Sequence, residues 1–166
     1  VQREHDAYLP DLAMCLNGLG NRLIEAGRKD EAIGPLREAA ENCRILADFH
    51  PDMYAHHLAQ VLGNMGACLA ELGRVNEAVL VFEESVSCTS RLASDEPALY
   101  SSRHAMNMNN FAVFLRNQGR LSEALRMATE SVETYQECVK VDERMFLPDL
   151  AKCTLNLAAL LGVMGE

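Results

Sequence analysis

Histidines, cysteines and paired acids are the side chains of this 166-residue sequence whose types could do chemistry. The five histidines are His5, His50, His56, His57 and His104. His56-His57 could be a metal pair, but adjacent helix residues point about 100° apart and cannot grip one ion together. They read as a solvated pair at a helix start. The six cysteines are Cys15, Cys43, Cys68, Cys88, Cys138 and Cys153. None forms a CxxC pair, and none has the short spacing of a zinc site. Each lies in an apolar helical stretch and reads as a buried, reduced thiol of an intracellular protein. A chain of this length builds its own core without disulfides. Glu83-Glu84 and Asp95-Glu96 read as solvated helix and loop acids, not as a general acid and base. No phosphate loop, dinucleotide fingerprint, nucleophile elbow or HExxH stretch occurs. The chain is therefore expected to be no enzyme and to hold no cofactor or metal.

Composition points to a binding role and narrows the partners. The net charge is −9, which makes nucleic acid a poor partner because phosphates need Lys and Arg. No uninterrupted apolar run reaches about 18 residues, so no membrane span is expected. No signal peptide is evident, and the expected location is cytoplasmic. Apolar residues are 49% and aromatics 5%, with no tryptophan. That balance suits helices filled with Leu, Ala and Met better than a β-sandwich.

The elements that position these residues follow from a repeat. Gly27-Arg28 recurs as Gly73-Arg74 and Gly119-Arg120, and Gly165-Glu166 continues the series at the same 46-residue step. Tyr8, Tyr54, Tyr100 and Phe146 form one column at this period. Ala13, Ala59, Ala105 and Ala151 form a second, and Leu23, Leu69, Leu115 and Leu161 a third. Gly20, Gly66, Ala112 and Ala158 form a column of small residues. Each unit reads as two antiparallel helices. Helix A of the first unit has Leu12, Leu16, Leu19 and Leu23 on one face, at helical spacing. Gly27 ends it, because glycine takes the left-handed conformation that a C-cap needs. Asp30, Asn76 and Ser122 stand where helix B should be N-capped, and Glu31, Glu77 and Glu123 follow in its first turn. Pro51 and Pro97 mark the loops into the next helix A. The predicted helix A segments are 9–26, 55–72, 101–118 and 147–164, and the helix B segments are 30–47, 76–93 and 122–141. Pro35 should kink or fray the first helix B. The small column lets helix B approach closely, with Ala32, Ala78 and Ala124 as the facing surface.

Gly-Arg turns, a small residue in helix A and Glu-Ala opening helix B together resemble the tetratricopeptide repeat. Asp149-Leu150-Ala151 with Asn156-Leu157, and Gly119-Arg120 with Glu123-Ala124, carry the likeness in detail. The usual unit has 34 residues, so this one is about 12 longer, roughly three helical turns. Elongated units of this kind resemble those of kinesin light chain and of large fungal and actinomycete signalling proteins. The resemblance implies an all-α, right-handed solenoid of seven helices. It also implies an aromatic in helix B, which only Phe82 supplies; Leu36 and Ala128 replace it, so packing should be uneven. Residues 1–7 would end a preceding repeat. Repeats would span 8–53, 54–99 and 100–145, and 146–166 would be a fourth helix A, an excerpt of a longer array.

The resemblance places a ligand groove on helix A, around the small residue. The positions that fall there are Asn17, Asn21, Asn64, Asn109, Asn110 and Asn156, with Met106, Arg116 and Lys152. Asparagine is a mediocre helix former, so its recurrence on one face asks for a reason. Its amide donates on one side and accepts on the other, and a ladder of amides can hold an extended peptide main chain. The alternative is that these amides bond between neighbouring helices and set the pitch. On the first reading the chain is a protein- or peptide-binding module of a larger regulator, and replacing the asparagines leaves folding intact. On the second it is a spacer or self-assembly scaffold. The face of the last helix carrying Leu157, Leu160, Leu161 and Val163 is expected to be uncovered and to drive self-association.

Overall fold

The structure is a computed structural model that describes the backbone of residues 2–165 and, outside residues 2–7 and 52, their side chains. Every element among the described residues is an α-helix: α1 (Gln2–Glu25), α2 (Lys29–Phe49), α3 (Pro51–Glu71), α4 (Val75–Asp95), α5 (Pro97–Asn117), α6 (Leu121–Val141) and α7 (Glu143–Met164). The fold is an all-α solenoid of helix hairpins. The residues group into two compact units, 1–88 and 89–166, with the division falling inside α4. The first unit packs α1, α2, α3 and most of α4. The second packs α5, α6 and α7 with the end of α4.

From α2 to α6 the helix starts and ends keep the 46-residue period. The helix A segments, however, begin earlier than predicted, by four residues in α3, α5 and α7 and by seven in α1. Pro51 and Pro97 do not lie in loops. They open α3 and α5, where a missing N–H costs nothing and the fixed φ already suits a helix. Glu143 takes that place in α7, which Asp142 caps by accepting from the Met145 N–H at 3.0 Å. α1 starts at Gln2, so residues 2–7 continue into it and do not form a separate loop; Val1 and Glu166 lie outside the described residues. α2 is continuous through Pro35. Gly34 before it carries no Cβ for the proline ring to strike, and Ile33 and Leu36 on either side are buried.

The turns explain why Gly-Arg and Glu recur together. Gly27, Gly73 and Gly119 have φ of 75°, 70° and 75°. The next residue's N–H reaches back to Leu23, Leu69 and Leu115 carbonyls at 2.8, 3.0 and 3.0 Å, which closes a Schellman motif. The arginine, not the predicted Asp30 or Ser122, then stands at the N-cap of α2 and α6, without a side-chain cap. Its guanidinium instead forks onto the glutamate three residues on. Arg28 reaches Glu31 at 2.7 and 2.5 Å, Arg74 reaches Glu77 at 2.7 and 2.8 Å, and Arg120 reaches Glu123 at 2.7 Å twice. The Arg28 and Arg120 bonds hold Glu31 and Glu123 below the usual carboxylate range, and Glu77 is held down first by a bond from Arg37 and then by Arg74. Arg37–Glu77, Arg44–Glu84 and Lys29–Glu71 pairs tie α2 to the next hairpin.

The small column works as predicted, but against other residues. A Cβ at Gly20 would come within 2.6 Å of Leu36, and one at Gly66 within 3.0 Å of the Phe82 ring. The facing side chains are thus Leu36 and Phe82, while Ala32 and Ala78 are simply buried. Behind them, Ser85 and Ser131 donate to the Ala59 and Ala105 carbonyls at 3.4 and 2.7 Å, one repeat apart. The third hairpin has alanine on both sides, Ala112 and Ala128, and a small cavity remains beside Leu160.

Among the buried polar side chains, Thr89 and His104 pair with each other. His104 Nδ1 and Thr89 Oγ1 lie 3.0 Å apart, and both residues are buried. Burial pushes the imidazole pKa down, against the pull of Glu130. The folded chain then binds fewer protons than the unfolded chain between the lowered value and the ordinary one of about 6.5. Stability is therefore complete above about pH 6.5 and falls as pH drops toward the folded value. Melting curves across this range should show the loss, and His104→Gln should flatten it. An equal pH slope in the variant contradicts the assignment.

Candidate functional site

The asparagine positions lie on α1, α3, α5 and α7 and form a cluster in each unit. In the first, Asn64 Nδ2 donates to Asn21 Oδ1 at 2.9 Å and to Asn17 Oδ1 at 3.4 Å, linking α3 to α1. In the second, Asn156 Nδ2 donates to Asn109 Oδ1 at 3.0 Å, linking α7 to α5. Asn109 is buried, and the other four are half-buried. These are the inter-helix bonds that the pitch-setting alternative describes. They cost the ligand reading its expectation that folding is indifferent to these residues.

The bonds do not exhaust the amides. Each carries two donor hydrogens and an acceptor oxygen. Asn64 Oδ1 and the Nδ2 groups of Asn17 and Asn21 take no part in these three bonds, nor do Asn156 Oδ1 and Asn109 Nδ2. Each cluster thus holds its side chains in fixed orientations and keeps donors and an acceptor in hand. Fixing them beforehand lowers the entropy lost on binding. Of the remaining expected positions, Asn110 is half-buried, and Met106 and Lys152 are exposed. Arg116 is half-buried and borders the same small cavity as Asn156.

Sequence spacing alone misses the Thr89–His104 contact. Its signal is present: His104 breaks a column of Leu12, Leu58 and Leu150, and Thr89 stands level with Cys43 and Tyr135. The thiols also differ from expectation. Cys43, Cys68, Cys88 and Cys153 are buried, but Cys138 is half-buried and Cys15 is exposed. Burial pushes the Cys43 thiol up to about 11. Because the thiolate is the reactive form, Cys15 should react first with Ellman's reagent, and the buried thiols only on unfolding. Cys15→Ser should remove the fast phase, and a fast phase that survives it contradicts the burial pattern. The His56 and His57 rings lie 3.9 Å apart, and among the described residues no group of three or more His, Cys, Asp or Glu is placed to hold a metal.

Residues 12–52 and 105–142 match the model of the tetratricopeptide repeat family. No curated protein matches the chain. Among solved structures, a single-residue variant from Podosopora anserina, described as a kinesin light chain with nearly identical TPR-like repeats, has a TM-score of 0.73 at 17% identity; the match covers 95% of this chain and 68% of that one. A second structure of that description has a TM-score of 0.68 at 18% identity, covering 92% and 66%. The present chain spans about two thirds of the length of both, and the likeness is one of fold. The family matches fall on the first and third hairpins, which are tetratricopeptide repeats, and the same 46-residue period runs through the second.

Proposed function

We propose that this chain binds a peptide or partner protein on the asparagine face of its helix A segments, as a cytoplasmic regulatory part of a larger protein. Tetratricopeptide repeats are in general protein–protein interaction modules, and the proposal narrows that role to a site. The observation that carries it is the pair of oriented amide clusters, Asn17–Asn21–Asn64 and Asn109–Asn156. Half-buried amides with donors and acceptors in reserve match the main chain of an extended segment and leave its side chains free to vary. The partner is a protein, not nucleic acid, because the chain carries a net charge of −9. The site binds and does not catalyse. Affinity capture on the immobilised chain tests the reading when repeated with Asn17, Asn64, Asn110 and Asn156 changed to alanine. A partner held by the parent chain and lost by the variant supports it, and equal capture contradicts it.

Self-association is the second reading, and α7 favours it. Ala13, Ala59 and Ala105, like Gly20, Gly66 and Ala112, are buried, yet Ala151 and Ala158 at the same columns are exposed. Leu155 is 71% exposed and Val163 64%. Leu160 is buried, contrary to the face expected from the sequence, and Leu157 and Leu161 are half-buried; Phe146, Leu150 and Leu157 pack on a core of Ala105, Val132, Tyr135 and Cys153. α7 is also long and apolar enough to cross a membrane by length and composition, although Asp149 and Lys152 interrupt it. Sedimentation should show concentration-dependent association that Leu155→Glu abolishes. A chain that stays monomeric at high concentration ends this reading.

A further inference from the structure

An opening in the first unit extends beyond the asparagine face. A cleft of about 450 Å³ lies where α1, the end of α2 and the start of α3 meet. Among the described residues Leu9, Pro10, Ile45, Leu46, Phe49 and Tyr54 line it, together with His50. Ligand pockets commonly fall between about 300 and 1,000 Å³ and are mainly apolar. A narrower pocket shares Pro10, Leu46 and Tyr54 with this cleft and reaches Asn17. The cleft and the first asparagine cluster are therefore joined along one wall.

The cleft lies where the repeat departs from its own pattern. Ile45 stands level with Arg91 and Glu137, Phe49 with Asp95 and Val141, and His50 with Glu96 and Asp142. The second hairpin folds with charges at all three places, so the fold does not require an apolar surface there. Phe49 is 76% exposed and Ile45 46%, which leaves both outside the core. Charge defines what the cleft would accept. Asp11 and Asp48, next to the lining residues Pro10 and Phe49, are exposed acids. Arg44, the cation nearest in sequence on α2, is engaged by Glu84 at 2.7 Å. The chain as a whole carries −9, so its overall field favours a cation.

We propose that this cleft docks an aromatic or large aliphatic side chain of a partner protein, presented beside a lysine or arginine. It supplies the side-chain selectivity that main-chain capture by asparagines lacks. That last statement rests on the proposed function, whereas the docking itself does not.

The test uses fluorescence anisotropy with three labelled peptides in one Gly/Ser frame. Their cores are Lys-Trp-Leu-Lys, Glu-Trp-Leu-Glu and Lys-Ala-Ala-Lys. The whole chain should bind the first saturably, and the other two on the order of tenfold more weakly or less. Ile45→Arg combined with Phe49→Asp installs the residues that the second hairpin carries at these positions, so the variant should keep its melting curve. It should lose tenfold or more in affinity for the first peptide. Failure of that peptide to bind, equal binding of the acidic peptide, or unchanged affinity in the variant overturns the proposal. Asn64→Ala separates the two sites. If it leaves affinity for the first peptide intact while the cleft variant loses it, the cleft stands and the asparagine reading falls. The opposite pattern removes the cleft and keeps the asparagines.

Discussion

Phe82→Ala is expected to lower the unfolding free energy by about 3–5 kcal/mol. Phe82 is 2% exposed and lies over Gly66, where a Cβ would come within 3.0 Å of its ring. Removing the ring exposes no new route for collapse, because the glycine opposite it has no side chain to move inward. The loss therefore includes both the transfer of the ring and the cavity it leaves. Gly66→Ala alone should gain little, since helix propensity worth about 1 kcal/mol is set against contact with the ring. In the Phe82→Ala background the same change should stabilise, because the crowding is gone. The two positions would then carry the alanines that the third hairpin has at Ala112 and Ala128. Denaturant unfolding of the four chains gives the coupling directly. Additive effects would mean that the glycine is there for some reason other than the ring.

The triple change of Asn64, Asn110 and Asn156 to alanine should weaken partner binding by about 1.5–4.5 kcal/mol, if each amide contributes about 0.5–1.5 kcal/mol net. It should also lower the melting temperature, because Asn64 and Asn156 carry three inter-helix bonds between them. Alanine returns only part of this through its better helix propensity. Asn110→Ala tests binding with neither of those links disturbed. It should leave the melting curve in place and weaken the partner by about 0.5–1.5 kcal/mol. A triple variant that melts lower but binds its partner unchanged would make these asparagines links and nothing more.

The architecture is legible in the sequence because every hairpin repeats the same instructions. Gly27, Gly73 and Gly119 each need a positive φ, and each is followed by an arginine that forks onto a glutamate at fixed distance. Helix starts are displaced by a turn when Pro51 and Pro97 are read as breakers, whereas proline at the first helical position is a starter. The small column does mark a close approach. Its partner is not legible, since spacing along a helix does not say which residue of the facing helix lies opposite Gly20.

The candidate site is legible in its residue types and less so in their use. The period places Asn64, Asn110 and Asn156 in one column, but only coordinates show Asn64 reaching two residues of α1. The cleft at Ile45 and Phe49 and the Thr89–His104 pair escape for a shared reason. A search for agreement between repeats passes over the places where they disagree. His104 in a leucine column, and Phe49 level with Asp95, are departures of that kind.

The central claim is that the helix A amides touch the partner. It is tested most directly by following asparagine side-chain NH₂ signals of the ¹⁵N-labelled chain while a captured partner segment is added. The signals of Asn17, Asn21, Asn64, Asn109, Asn110 and Asn156 should shift and saturate together, at the affinity measured independently for that segment. Saturated binding that leaves these six unmoved, with shifts confined to α2, α4 and α6, would contradict the account.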